Sequence, residues 1–227
     1  MKVQFKLVFL SILFSVMSYA QADRPRTFNY AGITAPERFI SKQSPATEGS
    51  PYMNKVFWLA KIENFEGVAL LRYNANNDEF EFIDSSNDTL VLKKVVTYSN
   101  ITFVSTQTNY RLVEYTDKDD KNTFGYLVSL REKNDYTLFK RQKIEFYEPK
   151  PAKSSYDPSS PPRFVATKDA YYLKNKDQGI IPFPSNKKAL LKIYPEKKEA
   201  IENFLKLNKI SFDKDLDLIK LLDFLAT

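Results

Sequence analysis

The stretch of residues 56–147 constrains the fold of this chain more than any other feature. It is a run of short segments in which apolar and polar residues alternate, separated by clusters of Asn, Asp and Ser. Alternation with a period of two places the apolar side chains on one face of a β-strand. Turns recurring at such short intervals are typical of an antiparallel sandwich or barrel. The pattern therefore predicts a mainly β fold built from an antiparallel meander.

Nine candidate strands make up this meander, and short connections favour antiparallel pairing of neighbours. They span residues 54–62, 67–73, 79–84, 89–98, 101–105, 110–116, 123–131, 136–140 and 143–147. Segments 164–165 and 170–173 add one or two strands, for nine to eleven in all. In the third strand, Phe80 and Phe82 are expected to point inward, and Glu79 and Glu81 to face solvent. In the seventh strand, one face carries Phe124, Tyr126, Val128 and Leu130, with Leu127 among the residues opposite.

The period changes towards the C-terminus, where apolar residues recur at helical spacing. Ser185 or Asn186 can cap a short first helix, Pro195 can start a second helix over 196–207, and Asp213 can cap a third. The apolar positions fall on one side of the second and third helices. We therefore expect a C-terminal α-helical hairpin, whose apolar face is buried on the β body, between the helices or on a partner.

Two irregular segments flank the β body, which spans residues 55–147. Residues 21–54 contain four prolines and a polar run, and they predict a flexible N-terminal arm that becomes ordered near Tyr52. Residues 148–163 contain five prolines among Lys and Ser, a composition typical of a stiff linker or a strap across the surface. The remaining domain, 164–227, holds the last strands and the helices.

The first 20 residues have the three parts of a secretory signal peptide. Lys2 and Lys6 form the positive region, residues 7–17 form the apolar region, and Ser-Tyr-Ala places small residues before a cleavage site at Gln21. The apolar run is shorter than the roughly 20 residues that span a bilayer. We therefore expect no membrane span after cleavage, and a location in the periplasm, outside the cell or on the outer membrane.

Composition excludes many chemistries, because the chain has no His, no Cys and only five Gly. Without His there is no Ser-His-Asp or Cys-His pair, and without His and Cys the usual zinc, iron–sulfur and haem ligands are missing. Five scattered glycines form neither a P-loop nor a dinucleotide fingerprint.

Removal of residues 1–20 leaves 32 basic and 28 acidic residues, a dispersed net charge of +4. We expect no cofactor and no nucleic-acid partner.

Two acidic patterns invite functional hypotheses. The turn 117–122 resembles a calcium loop, but Lys121, Asn122 and Val128 stand where an EF-hand needs an acid, Gly and Glu, so a hairpin turn is favoured over a metal site. Glu79 and Glu81 lie about 7 Å apart on one strand face, within the range of glycosidase carboxylates. Solvent-facing strands also carry such pairs, and no catalytic residue is assigned.

The most individual stretch is Leu71-Arg72-Tyr73-Asn74-Ala75-Asn76-Asn77-Asp78-Glu79-Phe80-Glu81. Together with the ending Asn203-Phe204…Asp217-Leu218-Ile219-Lys220…Phe224-Leu225, it resembles uncharacterised exported proteins of Bacteroidetes bacteria over most of the mature chain. The resemblance implies a Gram-negative envelope or secreted setting and no particular activity. Asn and Asp favour a turn, and Arg72 can pair with Glu79 or Glu81 across the hairpin. The sharper hypothesis is a recognition loop formed by Arg72, Tyr73, Asn74, Asn77, Asp78 and Glu79.

These observations predict a soluble exported protein with a non-enzymatic binding, scaffolding or assembly role, whose partner is an envelope protein or a glycan. The alternative is a carboxylate-dependent, glycosidase-like hydrolase acting on an envelope or environmental glycan. A cleft with two partly buried acids would favour the hydrolase, whereas a filled β core with an unburied helix face would favour the binding protein.

Overall fold

The structure is a computed structural model that describes residues 33, 47–152, 156, 159–176 and 178–227. The predicted signal peptide lies outside the described residues, as does most of the predicted arm 21–54. The described chain contains twelve β-strands and three α-helices, which confirms the mainly β class with C-terminal helices. No helix in this part of the chain has the length and apolarity required to cross a membrane.

The elements follow the predicted order along the chain. The strands are β1 Trp58–Ile62, β2 Ala69–Asn74, β3 Glu79–Ile83, β4 Thr89–Val91, β5 Asn100–Phe103, β6 Asn109–Thr116, β7 Asn122–Lys133, β8 Tyr136–Arg141, β9 Ile144–Tyr147, β10 Arg163–Ala166, β11 Ala170–Asn175 and β12 Gln178–Pro182. The helices are α1 Lys187–Ile193, α2 Lys198–Asn208 and α3 Asp215–Leu225. Nine strands fall within the predicted meander, whereas β12 was not predicted.

Ten strands form one sheet in the order β12-β11-β8-β7-β6-β5-β1-β2-β3-β4. Eight of these strands form two meanders, β1–β4 and β5–β8, joined by antiparallel pairing of β1 with β5. The candidate strand 89–98 is wrong beyond Val91. A 3-10 helix at Val96–Tyr98 follows there and takes the chain away from β4, so that β5 pairs with β1 instead.

One end of this sheet curls into a small barrel. β11 pairs with β8 and with β12, and Ile180 of β12 pairs in parallel with Tyr115 of β6, which closes the ring β6-β7-β8-β11-β12. Five buried side chains fill the interior: Tyr115, Leu127, Phe139, Tyr172 and Ile180. Leu127 lies on the strand face opposite Tyr126 and Val128, as the alternation predicts, and it is fully buried because this second core lies against that face.

The larger core lies on the other face of β6 and β7 and is enclosed by β1–β5. Its buried aromatic side chains are Tyr73, Phe80, Phe82, Phe103, Tyr110 and Tyr126. Phe80 packs edge to face with Tyr126 and Tyr110, at ring-centroid distances of 4.8 and 5.1 Å. Ile33 is also buried in this core, and its carbonyl oxygen accepts a hydrogen bond from the Lys93 amide. Phe124 shares its predicted strand face with the buried Tyr126 and Val128, but it is 39% exposed.

The helices share a third core with the outer surface of the barrel. Leu138 of β8 and Leu173 of β11 are buried against a set of helical side chains that includes Leu190, Ile201, Leu218 and Leu222. In addition, the stacked rings of Phe204 and Phe224, 4.3 Å apart, join α2 to α3. The apolar faces of the second and third helices are therefore buried in large part on the β body and against each other, whereas Leu207 of α2 and Leu216 of α3 stay exposed.

The helix caps agree with the prediction only in part. The Asn186 side chain caps α1 by accepting a hydrogen bond from the Ala189 amide. Pro195 begins a 3-10 turn that precedes α2. The N-cap of α3 is Lys214 rather than Asp213, because the Asp213 carboxylate instead accepts a hydrogen bond from the Ser211 hydroxyl.

The proline-rich segment 148–163 connects two strands that pair with each other. β9 and β10 form an antiparallel ribbon, which Lys150 and Ser160 extend by exchanging two backbone hydrogen bonds of 2.9 Å. Glu48 adds a short parallel bridge to Arg163 on the other side. The described part of the segment is therefore the end of a β-hairpin held by residues from the N-terminal arm.

Candidate functional site

The predicted recognition loop is the turn between β2 and β3. The Asn74 side-chain oxygen accepts hydrogen bonds from the amides of Asn76 and Asn77, at 3.2 and 3.1 Å. Asp78 adopts a left-handed conformation with φ 56°, which Asp tolerates better than most residues. The sequence therefore folds here as the predicted turn, and the side chain of Asn77 is exposed at its tip.

Arg72 and Glu81 form a nearly buried ion pair beside this turn. The Arg72 guanidinium donates to Glu81 Oε2 from Nε at 2.8 Å and from Nη2 at 2.6 Å. Glu81 Oε1 accepts from the Tyr52 hydroxyl and from the Asn74 amide group, both at 3.2 Å. The expectation that Glu81 faces solvent is wrong: it is 2% exposed, because Tyr52 and Asn74 cover it.

Tyr52 comes from the N-terminal arm and covers the ion pair. Its ring lies 3.7 Å from the Arg72 guanidinium, which also lies 4.4 Å from the ring of Phe57. Burial and the nearby Glu81 carboxylate raise the pKa of the Tyr52 hydroxyl to about 12. The hydroxyl therefore stays protonated and donates to Glu81 while it accepts from Arg72.

Asp78 is the centre of a second polar cluster where β2, β3 and β7 meet. Its carboxylate accepts from the Tyr73 hydroxyl at 2.6 Å, from the Tyr126 amide at 3.1 Å and from Lys94 Nζ at 2.6 Å. Burial, and then the Asp78 charge, raise the pKa of Tyr73 well above its ordinary value. Gly125 gives the carboxylate its space, because a Cβ there would lie 2.5 Å from Asp78 Oδ2.

Of the six predicted recognition residues, the structure places Arg72, Tyr73, Asn74 and Asp78 in these two clusters. Asn77 is exposed, and Glu79 is half-buried at the start of β3. The adjacent Asn76 amide group donates to the carbonyl oxygen of Ile144, which ties the turn to β9. The geometry of the turn thus joins strands together, and the polar partners Tyr52, Glu81 and Lys94 were not among the predicted site residues.

The acidic turn between β6 and β7 is the predicted hairpin. Asp117 Oδ1 accepts from the amides of Asp119 and Lys121, at 2.8 and 3.0 Å. These bonds, that of Lys121 first, lower the pKa of the Asp117 carboxyl below its usual value. Within the described ranges, no group of three or more acidic residues is arranged to hold a metal ion.

A concave surface lies on the helices and was not predicted from the sequence. It consists of two open depressions of about 710 and 530 Å³ that meet at the ion pair of Lys187 and Glu202, whose charged atoms are 3.0 Å apart. We call it the α1–α2 groove. Its lining residues are Asn186, Lys187, Lys188, Leu191, Lys192, Lys198, Glu202, Asn203, Leu205, Lys206, Ile210 and Phe212.

The sequence gives only a weak signal for this groove. Its lysines are spread over 20 positions, from Lys187 to Lys206, and acidic residues stand between them. Only the packing of α1 beside α2 brings them together around the groove.

The chain matches no protein-family model, and comparisons with curated proteins and with solved structures found no significant match.

Proposed function

We propose that this chain is an exported, non-enzymatic binding protein with a scaffolding or assembly role in the cell envelope. The observation that carries the proposal is the open α1–α2 groove on a body whose β cores are filled by side chains. Both depressions are open, and together they present lysines and half-buried apolar side chains on one surface, a combination that offers a partner both charge and apolar contact. The signal-like residues 1–20 and the resemblance to exported Bacteroidetes proteins support the envelope setting.

The arrangement of the acids supports binding over hydrolysis. A glycosidase needs one carboxyl group to donate a proton and a second to act as base or nucleophile, both reachable by the sugar. Both oxygens of Glu81 are instead engaged by Arg72, Tyr52 and Asn74. The lining of the α1–α2 groove includes a single acid, Glu202, which is paired with Lys187. Neither arrangement supplies the pair of reachable carboxyls.

The test asks whether the chain that starts at Gln21 retains an envelope component or hydrolyses a glycan. The immobilised protein is incubated with envelope extract, and the free protein with peptidoglycan and envelope polysaccharides, while new reducing ends are measured. We expect saturable retention of a defined envelope component and no reducing ends. Release of reducing ends that is abolished by Glu79→Gln would instead establish the hydrolase.

Export is tested separately, by fractionating cells that express the full chain. We expect the protein in the envelope or medium with Gln21 at or near its N-terminus, because residues 18–20 fit the small-residue rule for cleavage. Cytoplasmic protein with residues 1–20 intact would contradict this part of the proposal.

A further inference from the structure

The charge of the α1–α2 groove selects for an anionic partner. Five of its lining residues are lysines and one is a glutamate, and Lys187 already neutralises that glutamate. The imbalance persists beyond the lining, since residues 186–212 contain seven lysines and three glutamates. A concave surface with one sign of charge concentrates the electrostatic field and attracts ligands of the opposite sign.

The groove also has an apolar component that a purely ionic ligand would leave in water. Leu191, Leu205, Ile210 and Phe212 line it and are half-buried. Removing apolar area from water is favourable, so the best-fitting partner carries apolar side chains as well as negative charge.

Shape and chemistry together distinguish between classes of partner. A planar membrane surface does not follow a concave depression. A polyanionic glycan brings no aliphatic groups, and sugars stack on flat aromatic rings, whereas three of the four apolar residues that line the groove, Leu191, Leu205 and Ile210, are aliphatic and only Phe212 is aromatic. A peptide segment supplies carboxylates and aliphatic side chains at the spacing of single residues.

Most of the groove is built on α1 and α2 over a packed core, which keeps its shape. Leu190 of α1 and Ile201 of α2 are fully buried beneath it. Such pre-organisation lowers the entropy lost when a flexible segment binds.

We infer that the α1–α2 groove binds an acidic peptide segment of a partner protein, with apolar residues interspersed among its carboxylates. This inference rests on the proposed binding function and specifies its partner. The carboxylates pair with Lys192, Lys198 and their neighbours on the rim, and the apolar side chains cover Leu191 and Phe212.

The test titrates the mature protein with defined probes. The main probe is a fluorescent peptide of about 12 alternating Glu and Leu residues, beside Glu–Ser and Lys–Leu peptides of equal length. Polygalacturonate and phosphatidylglycerol vesicles represent the anionic glycan and the anionic membrane. We expect saturable binding of the Glu–Leu peptide that weakens with added salt, at least about tenfold weaker binding of Glu–Ser, and none of Lys–Leu.

A matched pair of variants locates the site. The double substitution Lys192→Glu with Lys198→Glu is expected to weaken binding of the Glu–Leu peptide at least about tenfold. The control variant, Lys118→Glu with Lys121→Glu, makes the same change in net charge at the exposed β6–β7 turn. Its affinity for the Glu–Leu peptide should stay within about twofold of that of the unsubstituted protein.

Each contrary outcome overturns the inference. Equal losses in the two variants would indicate non-specific attraction, and tighter binding of polygalacturonate or vesicles would assign another class of partner. Failure to bind the Glu–Leu peptide, while the same protein retains an envelope component, would overturn the inference and leave the proposed function standing. If no probe and no envelope component were retained, both would fail.

Discussion

At the scale of single residues, the buried ion pair of Arg72 and Glu81 makes the sheet sensitive to one substitution. The Glu81 side chain is 3% exposed, and Arg72 supplies its charged partner. Replacement by Arg72→Met leaves that carboxylate buried without a countercharge, which costs about 3–5 kcal/mol of unfolding free energy. Urea denaturation measures the loss.

Two further variants test this explanation. Arg111→Met breaks the pair with Glu132, whose side chain is 55% exposed, and should cost at most about 1 kcal/mol. The double variant Arg72→Met with Glu81→Leu should recover much of the loss, because no buried charge remains. If the double variant were as unstable as Arg72→Met, packing of the guanidinium on Tyr52 and Phe57 would explain the loss instead.

Gly125 is a second sensitive position, because Asp78 occupies the space where a side chain would lie. Gly125→Ala places a Cβ 2.5 Å from Asp78 Oδ2, and the carboxylate cannot move without weakening its bonds to Tyr73 and Lys94. We expect a loss of about 1–3 kcal/mol in thermal or urea unfolding. Gly179→Ala is the control, since no atom lies within 4 Å of its added Cβ, and it should stay within about 0.5 kcal/mol.

At the scale of secondary-structure elements, α3 contributes to the β body rather than standing apart from it. Leu221 is fully buried in the core that α3 shares with β8 and β11, whereas Leu216 of the same helix is 73% exposed. Leu221→Ala should lower the unfolding free energy by about 2–5 kcal/mol, and Leu216→Ala by at most about 0.5 kcal/mol. Similar small losses for both variants would indicate that α3 unfolds independently of the body.

Alternation of residues was sufficient to predict the strands, since each of the nine candidate segments between residues 54 and 147 overlaps a strand of the structure. The alternation was insufficient to predict which residues are buried. A period of two assigns side chains to two faces of a strand, but it does not specify what packs against each face. Glu81 is buried by Tyr52, and Leu127 by strands that lie at least 40 positions later. β12 was missed because Gln178–Pro182 is short, contains Gly and Pro, and is recognisable mainly by its pairing with β11 and β6.

The candidate site could be predicted only in part, because local sequence preferences specify a turn but not the tertiary contacts around it. The turn at Asn74 to Asp78 follows from local preferences, and its geometry was predictable. The partners Tyr52 and Lys94 lie 22 and 16 positions from Asn74 and Asp78, respectively, and join the clusters only through tertiary packing. The α1–α2 groove likewise depends on how two helices pack, which helical periodicity alone does not specify.

At the scale of the whole molecule, the absence of His predicts a simple dependence of stability on pH. Carboxyl groups and tyrosines titrate at opposite ends of the range, so the melting temperature should be nearly constant between about pH 5 and 9. A step in melting temperature near pH 6–7 would contradict this expectation.

The alkaline limit is set by tyrosines whose pKa is raised, mainly by burial. They are Tyr52, Tyr73, Tyr110, Tyr115, Tyr126, Tyr171, Tyr172 and Tyr194. In the unfolded chain these hydroxyls ionise at pKa 10.0, below their folded values. Their contribution to stability is therefore complete below pH 10 and is lost as the pH rises from 10 towards 12, where Tyr52 titrates in the folded state. Calorimetry across this range should show a steep fall, and a flat profile would contradict it.

The parallel pairing of β12 with β6 also determines when this protein can finish folding. The bridge joins Ile180 to Tyr115, and β12 ends at Pro182 of a 227-residue chain. A ribosome must therefore synthesise the chain through β12 before the ring of strands can close, and closing so long a loop slows the search for native contacts.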